Sequence, residues 1–204
     1  MNLREEYKNL SDQELVSRFQ AGEQHTSFTI LVERYQKRVY FAARKMVGGD
    51  HDEADEIAQE TFVKVYEALG SFRGESQFYT WVYRIMMNAV IYKSRRKRVK
   101  KDVELDDVAE TIAADGASPD EGIERHEMTK LIEEAIETLP PKQREVFLMR
   151  FYDEMSYEDI ASILGTSVGG LKANYFHAAR KITEYVQRSN DEQITMMQKF
   201  EPKQ

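Results

Sequence analysis

The stretch Ala113 to Gly122, Ala-Ala-Asp-Gly-Ala-Ser-Pro-Asp-Glu-Gly, stands in the middle of a chain of 204 residues and offers a core almost nothing to bury. Its residues are small, polar or turn-forming, so burial does not offset the entropy lost in ordering them. A chain interrupted there does not build one continuous core. It folds as two small units, one on each side. The expected boundaries are an N-terminal domain over 1–98, a flexible acidic linker over 99–125, a C-terminal domain over 126–188 and a polar tail from Ser189 to Gln204. No internal repeat is evident.

Charge divides at the same place. Met1 to Val99 holds 16 basic and 14 acidic residues, whereas Lys100 to Gln204 holds 13 and 22, for a formal net charge of −7. Lys93 to Lys101 carries seven basic residues in nine, and Asp102 to Glu124 carries nine acidic residues with no Lys or Arg. A basic block abutting an acidic block is not what an evenly solvated surface gives. There is no cysteine, which removes disulfides, thiolate nucleophiles and Cys-based zinc sites. Apolar runs are only a few residues long, and Met1 to Tyr7 is polar and charged. The expectation is a cytoplasmic protein with no membrane insertion. Four prolines and ten glycines among much Glu, Lys, Arg, Ala and Leu favour an all-α fold.

The N-terminal half reads as a helical bundle. Ser11-Asp12-Gln13-Glu14 is a capping box opening a short helix with Leu15, Val16 and Phe19 on one face. Phe28, Leu31, Val32, Tyr35, Val39, Ala42 and Met46 recur at helical steps, and Gly48-Gly49 ends that run. Asp52 starts the next helix, with Ala54, Ile57, Ala58, Phe62, Val65, Tyr66 and Leu69 inward and Asp55, Gln59, Glu60 and Lys64 outward. Gly70 to Gln77 is a loop. Thr80 starts a third long helix that runs into the basic block.

In the C-terminal half, Met128 to Leu139 reads as a helix stopped by Pro140-Pro141, and Pro141 suits the first turn of the next. Ser156 caps a two-turn helix with Asp159 at the capping-box position, Gly165 sits in a tight turn, and Ser167 caps a second helix with Val168, Leu171 and Tyr175 inward. This is the spacing of a helix-turn-helix, whose second helix enters the DNA major groove. The same pattern also serves an ordinary helical hairpin. The second helix presents Lys172, Ala173, Asn174, Phe176 and His177, residue types that suit guanine, adenine, phosphate and the thymine methyl. The domain is acidic overall, so its own hold on DNA is weak and a partner or second contact is implied.

The N-terminal domain offers that second contact. Phe72, Phe78, Tyr79, Trp81, Tyr83 and Tyr92 are interleaved with Arg73, Arg84, Lys93, Arg95 and Arg96 around the loop. Taken singly, each aromatic reads as core. Taken with the loop and the basic helix end, the group suits unpaired bases, on which stacking is worth roughly 1–3 kcal/mol each. A metal reading of His51 with Asp50, Asp52, Asp55 and Glu56 lacks a second His, and acids at a helix start favour the macrodipole. No phosphate-cradling Gly loop and no nucleophile with a base at a recognisable spacing is present. No enzymatic activity and no cofactor are expected.

The segment from Ala68 to Asn88, with Ser71-Phe72-Arg73-Gly74 and Phe78-Tyr79-Thr80-Trp81-Val82-Tyr83-Arg84-Ile85, resembles the minus-ten-binding segment of the extracytoplasmic-function sigma factors of bacterial RNA polymerase. Asp55-Glu56-Ile57-Ala58-Gln59-Glu60-Thr61-Phe62 is similar to their polymerase-gripping helix. Leu139-Pro140-Pro141-Lys142-Gln143-Arg144-Glu145-Val146-Phe147 and Ser156-Tyr157-Glu158-Asp159-Ile160-Ala161 resemble their second domain. The likeness covers about residues 10–188.

The resemblance implies roles for both domains. The N-terminal one becomes sigma region 2, in which Asp55, Gln59 and Glu60 bind the clamp of core polymerase. Ser71, Phe72, Arg73, Gly74, Phe78, Trp81, Arg84 and Asn88 bind the minus-ten element, with a base flipped out of the duplex. The C-terminal domain becomes region 4, in which Arg150, Ser167, Lys172, Ala173, Asn174, Phe176 and His177 meet the minus-thirty-five element. Asn174 and Ala179 stand where many relatives carry arginines, a departure from the family pattern that bears on the minus-thirty-five base preference. The acidic linker becomes either a solvated tether or a run of carboxylates occupying a positively charged nucleic-acid channel. The implied partners are core RNA polymerase, promoter DNA as duplex and as non-template strand, and an anti-sigma factor, in an envelope or other stress response. The alternative is a stand-alone helix-turn-helix regulator that binds duplex DNA without polymerase.

Overall fold

The structure is a computed structural model that describes the backbone of residues 3–103 and 123–200 and the side chains of residues 5–97 and 128–189. Residues 104–122, most of the stretch expected as the acidic linker, lie outside the described residues, as do 201–204. The chain divides into two units, Met1–Ala113 and Ala114–Gln204. Helices make up the regular structure of both, and no strand occurs among the described residues.

The first unit holds α1 (Leu3–Lys8), α2 (Asp12–Gln20), α3 (Gln24–Met46), α4 (His51–Leu69) and α5 (Phe78–Val103). Helix α3 packs against α1, α2, α4 and α5, and α4 packs against α5. Leu15, Val39, Ile57, Val65, Leu69 and Met86 are fully buried between them. The capping box at Ser11 forms as its sequence requires: the Glu14 amide donates to Ser11 Oγ at 3.3 Å and the Ser11 amide donates to Glu14 Oε2 at 2.8 Å.

Two helix starts in this unit differ from the sequence reading. Helix α4 is capped by Asp50, whose Oδ1 accepts from the Glu53 amide at 2.9 Å. Asp52 falls inside the first turn, where its charge meets the positive helix end. Helix α5 starts at Phe78, two residues before Thr80, because the buried Phe78 ring draws the start of the helix into the core. The short α1 was not foreseen. Its six residues are too few for a stable isolated helix. Tertiary contacts hold it: Tyr7 is 4% exposed, its hydroxyl donates to Glu23, and the Arg18 guanidinium lies 4.7 Å from its ring centre. Tyr66, expected inward, is 43% exposed, with its ring in T-shaped contact with Phe19 and Phe28 at 5.4 and 5.0 Å.

The second unit holds α6 (Ile123–Glu137), α7 (Pro141–Phe151), α8 (Tyr157–Leu164) and α9 (Val168–Phe200). Helices α6, α7 and α8 all pack on α9. Pro141 occupies the first turn of α7, where its missing N–H costs nothing. Helix α9 is helical as far as Phe200, through most of the stretch expected as a tail from Ser189. Among the described residues no helix is long and apolar enough to cross a membrane.

Candidate nucleic-acid interface

The loop between α4 and α5 is a constrained structure. The Ser71 amide and hydroxyl both donate to the Ala68 carbonyl, at 3.0 and 2.8 Å, and the Phe72 amide donates to the Leu69 carbonyl at 3.2 Å. Gly74 sits at φ +72°, where a Cβ costs about 1–2 kcal/mol even though space around it is open. Phe72 folds back: its ring centroid lies 4.8 Å from Trp81 and 5.9 Å from Phe78. Phe72 and Trp81 are half-buried, while Ser71, Arg73 and Gly74 face solvent.

Phe78 was placed among the nucleic-acid contacts by its sequence neighbours. The structure leaves it 5% exposed, with its ring 5.5 Å from Tyr35 and 5.9 Å from Trp81, so it is the floor under the loop. Tyr79 and Tyr83 are core as well, with Tyr79 stacked on Tyr35 at 5.6 Å and Arg38 3.7 Å over its ring. Burial first, and then the hydrogen bond to Asp12, pushes the Tyr35 phenol well above its ordinary pKa, so it stays protonated and donates to that carboxylate.

Trp81, Arg84 and Asn88 follow at helical steps and share one face of α5. The contact of Trp81 with Phe72 sets that face beside the loop. Arg84 and Asn88 are exposed on it. The loop thus offers exposed Ser71 and Arg73 above half-buried rings, and the same face of α5 continues to the exposed Arg84 and Asn88: cations suited to phosphate, an amide suited to a base edge, rings suited to a base face.

The basic end of α5 is only partly open. Lys93 pairs with Glu56, and Lys97 Nζ lies 2.5 Å from Glu53 Oε2, both across to α4. Arg95 and Arg96 are exposed, with Arg96 5.8 Å from the Tyr92 ring centre. The side chains of Lys100 and Lys101 lie outside the described residues. On α4 itself, Asp55 and Gln59 are exposed and joined by a 2.6 Å bond from Gln59 Nε2. Glu60 is half-buried and paired with Lys64 at 2.5 Å. His51, the residue a metal reading needed, has its Nδ1 2.5 Å from the Tyr40 hydroxyl. Among the described residues no group of three or more His, Cys, Asp or Glu is placed to hold a metal ion.

In the second unit the turn forms from its three signals. Ser156 Oγ accepts from the Asp159 amide at 3.0 Å, Gly165 takes the left-handed conformation at φ +63°, and Ser167 Oγ accepts from the Gly170 amide at 3.3 Å. Leu171, Ala178 and Ile182 bury one face of α9, while Val168 and Tyr175 are half-buried at its edge. Lys172, Ala173, Phe176 and Arg180 form the exposed stripe. Ser167 is exposed at its start, and Asn174 and His177 lie half-buried to one side. Arg150 reaches from α7, donating to the Met155 carbonyl at 2.7 Å. Tyr157, which the sequence did not single out, joins two of the named cations: its ring centre is 5.3 Å from the Arg150 guanidinium and 5.7 Å from Lys172 Nζ. No single helical pattern marks this, because the three residues lie on three different helices.

The sigma-70 region 2 model matches residues 31–100 and the sigma-70 region 4 model matches residues 129–182. The chain is 36% identical over 184 residues to the RNA polymerase sigma-H factor of Pseudomonas aeruginosa, covering 86% of this chain and 94% of that protein. It is 36% identical over 189 residues to the ECF RNA polymerase sigma-E factor of Escherichia coli K12, covering 88% and 96%. Its fold is similar to that of the Bartonella quintana sigma factor RpoE, solved in complex with the anti-sigma factor NepR, with a TM-score of 0.67 at 23% identity over 78% of this chain and 96% of that one. Two helical units, the first ending in a loop and cationic helix and the second in a helix-turn-helix, match these relatives along nearly their whole length, and the chain belongs to the extracytoplasmic-function sigma factors, which bind bacterial core RNA polymerase, direct it to promoters and open the minus-ten region.

Proposed function

We propose that the two units divide promoter recognition between one single-strand surface and one duplex surface. Ser71, Arg73, Arg84 and Asn88 take the non-template strand of the minus-ten element. Phe72 and Trp81 supply the aromatic ground on which an unstacked base rests, and Phe78 supports them from below. Unpairing costs a few kcal/mol, which base–aromatic stacking of roughly 1–3 kcal/mol per base offsets in part. The observation that supports this reading is the Phe72–Trp81 contact, which joins the loop to the face of α5 on which Asn88 also lies.

Asp55 and Gln59, with Glu60, form the face that meets core polymerase. The exposed Asp55 carboxylate, on a helix that is otherwise well packed, can meet a cationic partner without disturbing the fold. The exposed stripe Lys172, Ala173 and Phe176, with Ser167, Asn174, His177 and Arg150 around it, meets the minus-thirty-five duplex. The protein works as a non-enzymatic initiation factor in the cytoplasm and is held in check by an anti-sigma factor, as its structural relative is bound by one.

In vitro transcription with core polymerase and a promoter library tests the whole reading. The expected result is promoter-specific initiation that needs both core enzyme and this chain. Duplex binding by the chain alone, at the affinity and sequence preference of the holoenzyme, would instead establish a stand-alone regulator.

A further inference from the structure

Gln20 is the last residue of α2, and its side chain crosses to the loop about fifty positions later. The carboxamide Nε2 lies 3.3 Å from the Leu69 carbonyl, 3.4 Å from the Gly70 carbonyl and 3.0 Å from the Phe72 carbonyl. The neighbours are three acceptors, so the amide orientation is fixed: the reversed amide would set its oxygen against all of them. Leu69 and Gly70 are the end of α4, where carbonyls have no partner within the helix. The Phe72 carbonyl belongs to the loop itself.

The geometry points to Gln20 as a positioning residue for minus-ten recognition, a carbonyl clamp that fixes the backbone of residues 69–72 relative to α2. This rests on the reading of the loop as the strand-capturing element. Helix α2 is a firm reference, since Leu15, Val16 and Phe19 are buried within it. Within the loop, the Ser71 and Phe72 donors turn back to the end of α4 and the Phe72 ring rests on Trp81. These contacts tie the loop to α4 and α5. The Gln20 bond to the Phe72 carbonyl ties it to α2 as well, and so sets the direction in which Ser71 and Arg73 point relative to that helix. Gln20 is itself exposed, so the clamp governs the loop geometry and not the core.

The test uses holoenzyme assembled with core polymerase and promoters that differ at single non-template positions of the minus-ten element. Gln20→Met keeps the length of the side chain and removes its donors. Gln20→Lys restores donors at a similar reach. A net hydrogen bond is worth roughly 0.5–1.5 kcal/mol, or about 2–10-fold. Gln20→Met is expected to slow promoter opening and to flatten the base preference by that factor. Its core binding and minus-thirty-five duplex binding should equal those of the parent, and its unfolding midpoint should fall by no more than the loss of one hydrogen bond gives. Gln20→Lys is expected to recover the base preference, which is read as a ratio between promoters and so is insensitive to the added charge. Parental opening and preference in Gln20→Met, alongside altered preference in Asn88→Ala, would overturn the clamp and leave the loop reading standing. Parental preference in both variants would remove the loop reading and the clamp with it. Equal losses in Gln20→Met and Gln20→Lys, with an unfolding midpoint lowered by more than the loss of one hydrogen bond gives, would make Gln20 a packing residue and overturn the clamp.

Discussion

The Phe72 and Trp81 rings sit 4.8 Å apart, centroid to centroid, at an interplanar angle of 45°. Phe72 thus contributes to the loop's own stability as well as to the base stacking proposed for it. Phe72→Ala is expected to lower the stability of the first unit by about 1–3 kcal/mol, the order of a half-buried aromatic with ring partners. It should also weaken binding of a minus-ten single strand. Asn88→Ala is expected to leave stability unchanged, since the residue is exposed, and to reduce base discrimination more than total affinity. Denaturant unfolding and single-strand titration of both variants separate the two effects, and a Phe72→Ala protein as stable as the parent would contradict the shared role.

Asp55 is exposed and bonds one turn on to Gln59. Such an i,i+4 contact contributes only about 0.2–0.5 kcal/mol. Asp55→Lys should therefore unfold at nearly the parental midpoint and still lose affinity for core polymerase. Co-purification of Asp55→Lys with core enzyme at the parental level would exclude this face as the docking surface.

On the exposed stripe of α9, Lys172 is the residue proposed to meet phosphate. Lys172→Ala should weaken minus-thirty-five binding for all sequences alike and lower the slope of log affinity against log salt by about one unit. Asn174, half-buried beside the stripe, is a sharper case. If its amide reads adenine, Asn174→Arg shifts the preferred sequence toward guanine at one position, with ~1–3 kcal/mol of discrimination. A promoter selection that returns the parental motif from Asn174→Arg would assign base reading to Lys172, Ala173 and Phe176.

Glu145 on α7 gives a pH dependence. Burial raises its carboxyl above the ordinary value, and Lys142 opposes this only in part. A raised carboxylate pKa means that the folded state binds the proton more tightly than the unfolded chain does. Stability from this group is present below the unfolded value and is lost as pH rises through the folded one. Glu145→Gln is expected to raise the unfolding midpoint of the second unit at neutral pH. The gain should vanish below the ordinary carboxylate range, where both states of the parent carry the proton. Thermal unfolding across that range checks the sign.

Short-range signals were legible in the sequence. Ser11, Ser156, Ser167 and Gly165 each act through atoms within four residues, and each forms the cap or turn its type demands. Helical periodicity gave the long helices for the same reason. What sequence reading missed depends on partners far along the chain. Helix α1 exists because Tyr7 finds Glu23 and Arg18. Phe78 is floor and not surface because Tyr35, on another helix, lies under it. Gln20 touches carbonyls about fifty positions away, and Tyr157 bridges cations from two other helices. In the basic block, counting charges concealed that Lys93 and Lys97 are already committed to Glu56 and Glu53.

Trp81 is the single tryptophan of the chain. Its indole sits half-buried against Phe72, at the point where a captured base would arrive. All tryptophan emission from this protein therefore originates beside the loop between α4 and α5, and the fold carries its own fluorophore there. Quenching by a stacked nucleobase, or a spectral shift as the indole is wetted or dried, would report loop occupancy in real time, in the native protein and without a label.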